Sequence, residues 1–150
     1  MPQWRRWIDD EGSASLEFVS AGLLMLLPLV YLVLAMGAIQ GASLAVDGAS
    51  RQAVRVFVQS PTVAEAEGRA QRAIDFALAD YGLKPDAATV TIACSPKPTA
   101  CLTRLGTVTV RVTARVTLPL VPPALHLDAP LSIPLASTAT ERVSRFWGAR

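Results

Sequence analysis

The chain is poor in the side chains that carry chemistry. Its 150 residues include one histidine, two cysteines and three tryptophans, and aromatic residues make up only 6%. The lone His126 sits in a proline-rich stretch, "PLVPPALHLDAP", where it reads as a surface or packing residue and has no nucleophile to serve. Two cysteines cannot complete a tetrahedral metal site by themselves. No glycine-rich phosphate loop, no pair of catalytic carboxylates and no Ser/His or Cys/His set can be assembled. Catalysis, a cofactor, a bound metal and a small-molecule substrate are therefore not expected. The net charge of +2 is too small to suggest a nucleic-acid partner. Internal repeats and low-complexity segments are also missing.

One absence is local, and it organises the chain. From Phe18 to Val46 there is no charged side chain. As a helix this run would measure roughly 44 Å at ~1.5 Å per residue, whereas a bilayer core takes about 20 residues. The stretch can span a membrane and continue beyond it. Its most apolar part, Phe18 to Ile39, is longer than the ~7–15 residues of a secretory h-region, although "AMGA" (Ala35–Ala38) offers a small-residue cleavage site. Membrane lipid is thus the first expected partner. Arg5 and Arg6 precede the run and Arg51 and Arg55 follow it, so the positive-inside rule favours neither orientation.

Three regions follow: a leader over 1–12, a long helix over 13–59 and an outer domain over 60–150. The long helix contains Pro28, which membrane helices tolerate. Past the apolar run it turns amphipathic, with Ala42, Ala45, Val46, Ala49, Ala53, Val56 and Phe57 on one side and Asp47, Ser50, Arg51, Gln52 and Arg55 on the other. Gly37, Gly41, Ala45, Ala49 and Ala53 recur every four residues. Such small-xxx-small ladders let helices approach closely and associate in lipid, although alanine is also simply common in this chain.

"SPT" (60–62) breaks the helix. Thr62 with Glu65 opens a second one in a capping-box pattern. Ala66, Ala70, Ala73, Ile74, Ala77, Leu78 and Tyr81 form its apolar stripe, and Gly82 closes it. The period then changes to two. "ATVTIAC" (88–94) and "GTVTVRVTARVTL" (106–118) alternate apolar and polar residues, and "LSIPLASTATERV" (131–143) does so more weakly. Pro134 assigns this last strand to an edge or a bulge. The expected class is α+β: a long N-terminal helix, a second short helix and a small antiparallel sheet of about three strands.

Cys94 and Cys101 bracket "SPKPTA" between the first two strands. A pair closing so short a loop reads as a disulfide if the domain lies outside the cytoplasm, and as two free thiols otherwise. A bridge would place the domain outside and the N-terminus in the cytoplasm.

With that orientation, "GSASLEF" (12–18) matches the G/xxxxEF pattern of prepilin-type leaders at the mouth of an apolar helix. The chain resembles the TadE-like minor pilins, or pseudopilins, of the tight-adherence (Flp) pilus system, whose helix also carries "LP", as "LLPLV" (26–30) does here. The likeness is specific over residues 12–58 and loose beyond, and the acidic "DDE" before Gly12 departs from the basic leaders of many prepilins. It implies cleavage between Gly12 and Ser13 by a prepilin peptidase, with Glu17 and Phe18 serving recognition and assembly. Other pilins and the assembly machinery are the implied partners, and the inner membrane or a surface pilus is the implied location. Cleavage would leave a free amine on Ser13 near Glu17, offsetting the ~2.5–3.5 kcal/mol that a carboxylate costs deep in a bilayer. Two alternatives stand beside this: Glu17 as a snorkelling interfacial carboxylate, and the chain as a single-pass membrane protein whose outer domain binds a partner unrelated to pili.

Overall fold

The computed structural model describes residues 13–84, 88–119 and 132–148. The chain divides into two units, Met1–Met36 and Gly37–Arg150. Helix α1 (Ser13–Val58) supplies the whole described part of the first unit and the opening of the second. α1 is long and apolar enough to cross a membrane, and no residue in its most apolar window is buried. Pro28 stands inside it.

In the second unit α1 acquires a buried side. Ala42, Ala45, Val46, Ala49, Ala53, Val54, Phe57 and Val58 are all buried there. Helix α2 (Val63–Ala79) follows a short break. The Thr62 hydroxyl accepts from the Glu65 amide at 3.3 Å, satisfying one of the free donors of the first turn. The Glu65 carboxylate turns outward to Arg69, 3.1 Å away. At the other end the Leu83 amide bonds the Leu78 carbonyl and the Gly82 amide bonds that of Ala79. This is a Schellman ending, and Gly82 meets its left-handed requirement with φ +70°.

Strands β1 (Ala88–Ser95), β2 (Thr107–Thr117) and β3 (Ser132–Arg142) form one antiparallel sheet in the order β1-β2-β3. Val110 stands opposite Ile92 on one side and Ala139 on the other. Period-two alternation turns Val108, Val110, Val112, Ala114 and Val116 inward. There Val108, Val110, Val112 and Ala114 share one core with Ala49, Ala53 and Phe57 of α1 and Ala66, Ala70, Ile74 and Leu78 of α2. Burial of each such valine stabilises by roughly 1.5–3 kcal/mol relative to exposure. The opposite face carries Thr89, Thr91, Thr109, Arg111, Thr113, Arg115, Thr138, Thr140 and Arg142, the solvated side of a one-sided sheet.

The architecture is the expected α+β arrangement, with Pro134 on an edge strand opposite Arg115. Two placements differ from the periodicity reading. Ser50, assigned to the polar side, is fully buried, because its hydroxyl finds the Asp47 carbonyl at 2.9 Å and lies 3.3 Å from that of Ser137. Tyr81, assigned to the apolar stripe, is half exposed, since it falls past the last helical turn.

Candidate functional site

The candidate residues lie in three places. The first is the mouth of α1. Gly12 lies outside the described residues, and Ser13 is the first residue of the described helix. Glu17 follows Ser13 by four positions, so the two sit on neighbouring turns of one face. Glu17 is exposed and Phe18 is 80% exposed. Leu16, Leu24 and Met25 are also strongly exposed around this part of the helix. An apolar surface of this kind is suited to lipid or to other apolar helices.

The second place is the ladder, and the structure divides it. Ala45, Ala49 and Ala53 are buried in the second unit's own core, where small side chains let the rest of the domain approach α1. A Cβ on Gly41 would lie 3.6 Å from Cδ1 of Tyr81, so this position too faces the chain itself. A Cβ on Gly37 would meet nothing within 4 Å. Of the five residues, Gly37 alone presents an open surface.

The third place is the loop between β1 and β2. Cys94, the penultimate residue of β1, and Cys101 are joined by a disulfide with Cα atoms 5.0 Å apart. The loop returns through a tight corner. Leu105 has φ 61°, and Gly106 packs so closely that a Cβ there would meet the Thr103 carbonyl oxygen at 2.9 Å. The Arg104 guanidinium donates to the Trp147 carbonyl at 2.9 Å, and the Trp147 indole donates to the Ser60 carbonyl at 3.0 Å. The chain end is thereby tied to this loop and to the α1–α2 break.

Sequence reasoning did not find the polar cluster joining α1 to β3. The Ser137 hydroxyl donates to Oδ1 of Asp47 at 3.0 Å, and Arg51 Nε donates to Oδ2 at 2.9 Å. Ser137 first, and then Arg51, hold the Asp47 carboxyl below the ordinary carboxylate value. Ser50 and Asp47 lie 87 and 90 positions from Ser137, so no local pattern announces the contact. Among the described residues no group of three or more His, Cys, Asp or Glu side chains is placed to hold a metal ion. The chain matches no family model, no curated protein and no solved structure.

Proposed function

We propose that this chain is a minor pilin, or pseudopilin, supporting assembly of a tight-adherence pilus, and that it has a structural role without catalysis. The observation that carries the reading is "GSASLEF" (12–18), with Glu17 and Phe18 at prepilin spacing, directly at the start of a helix long and apolar enough to cross a membrane. A prepilin peptidase would cut after Gly12, whose missing side chain leaves the backbone open to a protease cleft. The apolar half of α1 would hold the subunit in the inner membrane and later pack among the helices of other pilins. The Cys94–Cys101 bridge suits an oxidising compartment, which supports an outer domain beyond the membrane and a cytoplasmic N-terminus.

The intact mass of protein purified from membranes of the native host tests this. The mature chain is expected to begin at Ser13. A chain retaining Met1 to Gly12, or one beginning near Ile39, overturns the pilin reading.

A further inference from the structure

The second unit leaves an apolar groove uncovered between its own part of α1 and the flank of α2. Leu44, Phe76 and Tyr81 line it and are 61%, 72% and 50% exposed. Scattered apolar side chains on a surface need no explanation, but a contiguous set in a groove does. Ala73 and Ala77, beside Phe76 on α2, are half-buried in the same groove. Their small side chains keep this flank low enough for a second helix to pack at the usual separation of about 8–10 Å.

The charges in the groove identify its occupant. Among its lining residues only Arg72 and Asp80 are charged. They stand four positions before and four positions after Phe76, on one stripe of the helix. The Asp80 amide bonds the Phe76 carbonyl at 3.1 Å, so the helical register holds through Asp80. Elsewhere on α2 Glu65 holds Arg69, and Asp75 accepts from Gln71 at 2.8 Å. Among the described residues Arg72 and Asp80 have no such side-chain partner. Arg72, Phe76 and Asp80 are complementary to their own reverse. When a second α2 lies antiparallel with its Phe76 opposite the first, each Arg72 meets the other copy's Asp80. A two-fold interface demands this reciprocity, with residue i facing j while j faces i. A parallel pairing would set like charge against like at both positions.

We propose that this face of α2 pairs with α2 of a second copy, antiparallel about Phe76. The two Phe76 rings meet at the centre beside Leu44, and reciprocal Arg72–Asp80 ion pairs close the two ends. The contact lies wholly within the second unit and does not depend on the pilin reading.

Charge reversal in the full chain tests the pairing, read by sedimentation in neutral detergent micelles at low ionic strength over a range of protein concentrations. The wild-type chain should form a reversible dimer. Phe76→Ala should weaken it about tenfold, as loss of a central aromatic does. Arg72→Asp and Asp80→Arg should each weaken it by about tenfold, since both ends of the interface then set like charges together. The chain carrying both reversals should dimerise as the wild type does, because the pairs re-form with their signs exchanged. An equimolar mixture of the two single variants should also pair, one copy presenting two acids and the other two arginines. Rescue in these forms separates a lost contact from a misfolded helix. A wild-type chain that stays monomeric leaves the groove to lipid, to residues 120–131 or to another protein, and overturns the proposal. A dimer indifferent to the single reversals belongs to another surface, such as the open side of Gly37, and overturns it equally. So does weakening by the single reversals without rescue in the double variant or the mixture.

Discussion

Among the described residues Glu17 is the one charged residue at the mouth of α1, and the four-residue step back to Ser13 sets what it can reach. A carboxylate one turn from a free amine can pair with it, in its own subunit or across to a neighbour, and an apolar setting screens that pair poorly. On the proposed pilin reading, removing the charge while keeping the shape separates this role from processing. Glu17→Gln is expected to be cleaved normally and to stay in the membrane, but to lose crosslinking to the major pilin. The loss should exceed the ~0–1 kcal/mol of an exposed surface pair. Gly12→Val should instead block leader removal, seen as a gel shift. Normal assembly of the Gln variant would reduce Glu17 to a membrane-edge residue. Asp47 is the second residue whose charge matters. Its carboxyl titrates lower in the folded protein than in the unfolded chain, so the unfolded state binds protons first on acidification. Its contribution is complete above the unfolded carboxylate range and is lost as pH falls through the lowered folded value. Asp47→Asn should therefore lower stability at neutral pH and leave less acid-side loss, with the two stability curves converging at low pH. Parallel curves in urea unfolding across that range would contradict the Ser137 and Arg51 contacts.

At the scale of the element, α1 is one helix with two surroundings. The apolar half around Leu24 and Met25 is exposed, whereas from Ala42 onward a buried side forms in the second unit. The alternation of β2, the Thr62–Glu65 cap and the Gly82 ending could all be read in advance, because each depends on residues a few positions apart. Ser50, Phe76 and Trp147 could not. Ser50 is buried through a contact 87 positions away, Trp147 is fixed by a carbonyl at the same separation, and Phe76 breaks no helical period by being exposed. For the candidate site, the cysteine pair was legible, since it closes a short loop. The use made of the small-residue ladder was not, because spacing does not say whether a neighbouring surface belongs to the same chain. That distinction can be measured. Ala49→Leu places a large side chain in a closed core and should cost about 1–3 kcal/mol, with a lower Tm. Gly37→Leu meets open space, so thermal unfolding of the second unit should be unchanged. If both variants unfold alike, Ala49 is not packed where the core places it.

For the whole molecule, the division at Met36/Gly37 predicts that the second unit folds without the apolar half of α1. The second unit's α1 core contacts begin at Ala42 and Ala45, and its sheet, its second helix and its disulfide all follow. A chain beginning at Gln40 retains every one of these. One beginning at Arg51 loses Ala42, Ala45, Val46 and Ala49 and the Asp47–Ser137 hydrogen bond, and uncovers the facing side of the core. Apolar burial of those four side chains amounts to roughly 4–5 kcal/mol at ~0.8 kcal/mol per methylene-sized group, with more for valine. Set against a usual total of about 5–15 kcal/mol, that loss removes between about a third and nearly all of the stability, before the exposed facing side of the core is counted. Exported to an oxidising compartment, the Gln40 chain should be recovered with Cys94 and Cys101 bridged and should melt in one cooperative transition by circular dichroism. The Arg51 chain should be degraded or melt without a cooperative transition, even with its cysteines bridged. Equal stability of the two would mean that residues 42–49 add nothing to the second unit's core, which closes without them.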